Sequence, residues 1–326
     1  MPDTTKTQQT WRFSPVDSWF FRESRPHDRA GGTELVSLFP PLARTLAGAV
    51  RTFIGDSLGV DWWAFAREKD HPLRKRIGFG NDLGPLSFSG PWLCKGDKRL
   101  YPLPLSILTK ILVEQPSHNQ AQGQRMQKIA FFPLTLGDPV ETDLGRIRFP
   151  RIPGNAAGYK QRARCWVSAE GFSDILAGKM PESDAVVVAG DLYEEEFRLG
   201  IARDNIARTA EKGLLYQTRH LRLGRDVSVE VDVMGGPEPF LPSGLMRLGG
   251  EGRMAHVEII DHRGALPEPP TKLEGREIML HALTPVKFGK AKAATTESKI
   301  PFGIPADFTA KQEGGVTVFC GKINEI

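Results

Sequence analysis

Cysteine is scarce in this chain. Cys94, Cys165 and Cys320 lie far apart, are odd in number and form no CxxC pair. That argues against a disulfide framework or a structural zinc site and fits a reducing cytoplasm. Long apolar runs are lacking as well: none approaches the ~18 residues of a membrane span, so no membrane partner is expected. The N-terminal MPDTTKTQQTWRF has no apolar centre for a signal peptide. Several catalytic signatures are missing too: a GxSxG elbow, a GxxxxGK[ST] phosphate loop, HExxH, and an HxH-plus-carboxylate cluster. Asp17 and Asp61 stand near aromatics, but single carboxylates do not make a metal site. No metal or other cofactor is therefore expected. Nor is there a large excess of one charge, the formal net charge being +4.

What is plentiful is proline and glycine, 25 and 34 of 326 residues, a composition that favours short strands and long loops over a helical bundle. Trp11–Phe21 reads as a first strand. Pro40 and Pro41 suit the first turn of a helix, with Ser37 as a cap. Leu42, Leu46, Ala49, Val50 and Phe53 form its buried stripe, and Gly55 its end. Gly48 would allow close backbone packing on a sheet. Trp62, Trp63, Phe65, Phe79, Phe88 and Trp92 follow, near the basic Arg74-Lys75-Arg76. Such aromatics can stack bases or fill a core, and core packing is the expected use. Residues 114–164 read as an extended insertion. A helix within Trp166–Pro181 is capped by Ser173, and Ala185–Ala189 makes a short strand. Glu196–Leu223 reads as a long hairpin with a polar tip, and Val227–Val233 as a half-buried strand. The order predicts an α+β fold with antiparallel sheets.

Charge is unevenly spread. Residues 145–164 hold Arg146, Arg148, Arg151, Lys160, Arg162 and Arg164 with no acid. Residues 198–225 hold seven basic residues against Asp204 and Glu211. Two such stretches point to a polyanion. The chain is organised around Leu245–Ile260, where Gly249-Gly250-Glu251-Gly252 lies between Arg247 and Arg253 ahead of a strand. Glycine there permits positive φ and lets amides approach an anion that the two arginines clasp. Most such turns only make a hairpin, and this one begins no helix, so it is not a dinucleotide fingerprint.

Four stretches together resemble the RAMP subunit of type III-B CRISPR (Cmr) effector complexes that holds the 5′ handle of the CRISPR RNA. They are Phe13–Arg25, Ser37–Arg51, Glu196–Leu223 and Leu248–Val257. The resemblance implies two ferredoxin-like (RRM-related) domains. The first would span 1–235, with an insertion over about 60–165 and a thumb-like β-hairpin over about 198–223; the second would span 236–326. It also implies a non-catalytic ribonucleoprotein role in antiviral defence. Its partners would be the CRISPR RNA 5′ handle, the large polymerase-type subunit and the backbone RAMP subunit. Family members continue past a final LTP segment. Here LTPVKF at 283–288 is present but the later motifs are not, so the second domain is expected to be truncated, completed by another chain or divergent.

On this reading Arg22, Arg25, Arg44 and Arg51 line one side of the handle groove. Arg247, Gly249, Gly250 and Arg253 supply the glycine-loop side. Arg203, Asn205, Arg208, Lys212 and Tyr216 lie on the thumb-like hairpin. The alternative is a metal-independent RAMP endoribonuclease, for which His27 and His220, placed in basic loops, are the candidate acid and base. A third reading is a structural protein with no RNA contact.

Overall fold

The computed structural model describes residues 8–23, 34–112, 128–142, 145–152, 154, 156–203, 206, 208–236, 243–263, 283, 308–313 and 316–321. Its elements begin with β1 (Gln8–Pro15), β2 (Glu34–Leu35), α1 (Ala43–Ser57), α2 (Trp62–Arg67) and α3 (Arg74–Ile77). Next come β3 (Ser87–Lys95), β4 (Lys98–Pro102), β5 (Ile107–Leu112), β6 (Lys128–Pro133), β7 (Thr135–Thr142) and β8 (Gly145–Arg151). Then follow β9 (Cys165–Val167), α4 (Ala169–Leu176), β10 (Val186–Val188), β11 (Tyr193–Arg203), β12 (Ala210–Leu223) and β13 (Val227–Met234). The last are β14 (Gly244–Arg247), β15 (Met254–Asp261), β16 (Phe308–Glu313) and β17 (Val316–Gly321). The fold is α+β, rich in antiparallel strands, as expected.

Eight strands form one sheet in the order β10-β9-β4-β3-β13-β1-β15-β14, every described pairing antiparallel. β1 is central: Trp11 lies opposite Val231 on one side and Ile259 on the other. Strands from both sides of residue 235 thus share this sheet. One face carries Trp11, Phe13, Val229, Val231, Val233 and Val257 against Leu46, Val50, Phe53 and Ile54 of α1. Each such side chain, fully buried, contributes about 1.5–3 kcal/mol. A smaller core joins Trp92, Tyr101, Ile107, Ile129, Val167 and Phe172. Phe65, Phe88 and Trp92 are therefore core residues, while Trp62, Trp63 and Phe79 remain exposed.

β13 is not half-buried. Ser228, Glu230 and Asp232, on the face opposite its valines, are buried as well. Arginines cover them. Arg99 reaches Glu230 at 2.8 Å and Asp232 at 2.6 Å, and Arg12 and Arg263 add contacts to Glu230 at 3.0 and 2.9 Å. Thr10 and Trp92 donate to Asp232 at 2.6 and 3.0 Å. Burial would raise the Glu230 carboxyl, but hydrogen bonds from Arg99 and the charges of Arg99 and Arg263 hold it below its usual range.

Other boundaries move for local reasons. Pro40 and Pro41 lie before α1 rather than in its first turn, and Leu42 is the extended N-cap residue with no side-chain cap. Ser37 does not cap; it donates to the Arg219 carbonyl at 2.7 Å. Gly55 does not end α1 but packs under Trp62, and the turn comes at Gly59, where φ is +67°. Gly48 is exposed with open space at its Cα, so no close approach occurs there. The cap of α4 is Ser168, which accepts from Gly171 N at 3.3 Å, not Ser173. β1 stops at Pro15, and Trp19 instead bridges Leu221. The stretch expected as an extended insertion, 114–164, contains the β7–β8 hairpin and β6, which pairs with the preceding β5.

Candidate nucleic-acid interface

The glycine turn joins β14 to β15 as a hairpin, closed by Leu248 N to Arg253 O at 2.8 Å and Arg253 N to Gly250 O at 3.2 Å. It also docks on the segment after β1, because Gly250 N donates to Phe20 O at 2.7 Å. At Gly249 φ is +100°, and a Cβ there would stand 2.9 Å from that same oxygen. Only glycine meets both conditions. The Gly250 amide is thus spent on Phe20 and does not face a ligand.

Beside this contact lies a pocket of about 180 Å³ lined by Phe21, Arg22, Leu38, Leu42, Thr45, Gly249 and Gly250. The first turn of α1 forms one wall. That turn has no acidic residue and no side-chain cap, so its amide dipoles are not offset locally. Arg22 and Arg44 are both exposed here or on the adjoining turn. The structure therefore brings Arg22, Gly249 and Gly250 together with the start of α1.

Arg51 is placed elsewhere. Its Nη1 donates to Gly80 O at 3.1 Å, its Nε is buried with no described partner, and burial lowers its pKa. Arg247 is exposed at the end of β14. Arg253 turns back onto Asp17 at 3.3 Å. Asp17 also meets Arg222 at 2.9 Å and Arg198 at 3.2 Å, and hydrogen bonds from those two hold its carboxyl below the usual range. The hairpin root is thereby tied to the glycine turn. Glu196 adds pairs to Arg198 and Arg222 at 2.5 Å each, and Arg219 pairs with Glu34 and, at 3.0 Å, with Glu195. Much of the positive charge expected along the hairpin arms is neutralised at the root.

The expected long hairpin is present as β11 and β12. Arg208 is exposed near its tip with φ 55°. Tyr216 is half-buried opposite Gly200, where a Cβ would overlap its ring. Arg203 and Lys212 occupy strand positions whose side chains, like all of Arg25, Asn205 and His27, lie outside the described residues.

His220 is not in a basic loop. It is buried on β12, stacked on Phe20 with ring centroids 5.1 Å apart. Its Nδ1 lies 3.4 Å from Ser18 Oγ, and its Nε2 lies 3.0 Å from Glu251 Oε2. Burial, then the charge of Arg253, lowers its pKa despite Glu251. Near neutral pH the contact is therefore a hydrogen bond of an uncharged imidazole, not an ion pair. Sequence reasoning missed Phe20, Asp17 and Glu251 as the parts that fix the turn; the aromatic doublet Phe20-Phe21 was the one local signal for them. Among the described residues no group of three or more His, Cys, Asp or Glu could hold a metal ion.

Comparison with known proteins decides the family. The model of the family described as CRISPR-associated protein (Cas_Cmr3) matches residues 11–320. The chain belongs to this family. The Cmr-type CRISPR reading of the four sequence stretches is thus borne out, and the match takes in the glycine turn, the pocket beside it and the long hairpin of this Cas_Cmr3 chain. No curated protein matches it. Among solved structures, one similar chain is from "Cryo-EM structure of the Type III-B Cmr-beta bound to cognate target RNA and AMPPnP, state 1", at 14% identity and TM-score 0.43, covering 79% of this chain and 66% of that one. A second, from "Cryo-EM structure of the Type III-B Cmr-beta bound to cognate target RNA", has 15% identity and TM-score 0.42, covering 78% and 64%. The chain thus spans just under two thirds of the length of these two. A third, from "Type III-B Cmr-beta Cryo-EM structure of the Apo state", has 10% identity and TM-score 0.35, covering 78% and 97%. No described helix is long and apolar enough to cross a membrane.

Proposed function

We propose that this chain is the subunit of a type III-B CRISPR effector complex that holds the 5′ handle of the guide RNA and breaks no bond itself. It would sit beside the large polymerase-type subunit at the end of the backbone RAMP filament. The observation that carries the reading is the convergence of Arg22, the glycine turn and the uncapped first turn of α1 on one pocket. A phosphate there would meet a guanidinium and the positive end of a 15-residue helix. Arg44 and Arg247, exposed on the flanking elements, would extend the contact along the strand. Arg253, held by Asp17, would act as a wall of the turn. Against the endoribonuclease alternative, His220 is buried under Phe20 with its ring nitrogens facing Ser18 and Glu251, away from solvent.

The two-domain, ferredoxin-like organisation belongs to the same proposal. β1, β3, β13 and β15, taken in chain order, lie side by side in the order second, third, first, fourth, all antiparallel, with α1 between the first two. That strand order supports the ferredoxin-like reading. It draws its fourth strand from residues 254–261, beyond the expected division at 235.

The test is handle RNA binding by the purified chain across a salt series. Arg22→Ala with Arg44→Ala should weaken binding and flatten the slope of log affinity against log salt by about 0.7 per lost phosphate contact. Arg247→Ala should do so by a single contact. Unchanged affinity and slope in the double variant would overturn the assignment.

A further inference from the structure

The basic stretch at 145–164 takes no part in the pocket, yet it holds the charge of the chain. Residues 128–164 contain seven Lys or Arg and three Asp or Glu, and the remaining sequence contains 36 of each. The whole formal excess of +4 therefore resides in one inserted segment. This segment supplies β6, which pairs with β5, then the β7–β8 hairpin and the return through residues 156–164.

One face of β5–β6 packs on the smaller core through Ile107, Ile129 and Phe131. The register puts Lys110 and Phe132 on the other face. There the Phe132 and Tyr159 rings lie 5.3 Å apart, both half-exposed, with Lys110 Nζ 5.8 Å from the Tyr159 ring. The β7–β8 hairpin starts beside them. Leu134 N bonds Ser106 O at 2.7 Å and Gln161 Nε2 bonds Leu105 O at 3.0 Å, so the hairpin base and the 159–161 return meet at one turn. On β8, Phe149 and Arg151 share a face, and both are exposed, Phe149 by 54%. An exposed aromatic beside an exposed arginine, next to a ring pair with a lysine over it, is poorly suited to water alone.

We propose that this insertion is a second RNA-binding surface, built from Lys110, Phe132, Phe149, Arg151, Tyr159 and Lys160, which takes a single-stranded segment outside the handle. Rings offer sequence-tolerant stacking and the cations track phosphates. The choice of RNA as the polyanion rests on the handle reading above. An acidic face of a neighbouring subunit is the competing occupant.

The experiment uses the full chain and a labelled 20-nucleotide oligouridylate that lacks the handle. The triple variant Phe149→Ala, Arg151→Ala, Lys160→Ala changes exposed positions and should keep the wild-type melting temperature. It should bind this probe at least tenfold more weakly, with a shallower salt slope. Arg151→Glu with Lys160→Glu should weaken it further. The Arg22→Ala, Arg44→Ala variant should leave probe binding unchanged and lower only handle binding. Failure of the handle reading would appear in the Arg22→Ala, Arg44→Ala variant alone, whatever the two insertion variants do. Wild-type probe affinity and slope in both insertion variants would overturn the proposal, as would loss of association with co-expressed protein subunits and no loss of RNA.

Discussion

Gly249 carries two constraints that a larger residue cannot satisfy together, the left-handed φ of +100° and the Phe20 oxygen 2.9 Å from any Cβ. Gly252 has φ +67° but open space around it. Gly249→Ala should therefore cost about 3 kcal/mol, from strain plus overpacking. Gly252→Ala should cost about 1–2 kcal/mol, from conformation alone. Denaturant titration of the two variants checks the ordering, and equal losses would mean that the contact with Phe20 contributes nothing. The glycine triplet was visible in the sequence as a turn able to adopt positive φ. Its partner was not, because Phe20 stands more than 200 residues earlier and signals only an apolar position. His220 shows the same limit. Basic neighbours in sequence suggested a solvated loop, whereas β12 lays the His220 ring on Phe20, with Arg222 two residues on reaching Asp17 and Glu196 from the same face and Arg219 reaching Glu34 and Glu195 from the other.

β13 shows how an element can mislead when its partners are remote. VSVEVDV alternates as a half-solvated strand would, and its valines do line the main core. The polar positions are buried because Arg12, Arg99 and Arg263 arrive from three other parts of the chain, and no local pattern announces them. Glu230→Gln should leave those guanidiniums under-neutralised and cost about 3–5 kcal/mol, as breaking a buried pair does. Its pH dependence follows from the lowered folded pKa. The ion cluster contributes fully above the unfolded value of 4.5 and loses that contribution as pH falls through the lower folded value. Stability measured by denaturant from pH 6 down to 3 should fall less steeply in Glu230→Gln than in wild type below about pH 4.5. A parallel fall would remove Glu230 from the acid response. The insertion was less legible still. Its prolines and Gly137-Asp138-Pro139 suggested irregular chain, but a register shift between Leu136 and Pro139 absorbs them within a hairpin.

Across the whole molecule, the sheet closes through contacts between residues about 220–250 positions apart, Thr10 with both Asp232 and Ile260. The α+β class was readable from strand and helix patterns. Which strands meet was not, since β1 selects its two neighbours by fitting Trp11 and Phe13 between two rows of valine and isoleucine, a tertiary choice. That pairing sets where the first cooperative unit must end. Met246, Leu248, Ala255 and Val257 are buried in the main core, and Arg263 completes the cover over Glu230. A chain cut after residue 263 retains every strand of the eight-stranded sheet, although it loses Leu283, which packs on the smaller core. It should therefore unfold in one cooperative transition, with a modest loss of stability. A chain cut after residue 235 lacks β14 and β15, exposes one edge of β1 and removes four buried core side chains. At about 2–5 kcal/mol for each larger one, that exceeds what a typical domain can lose. It should show no cooperative melt by circular dichroism and should bind a hydrophobic dye. A sharp transition in the 1–235 fragment would show that β1 is sufficiently covered without β15, and that the unit ends where the sequence division first put it.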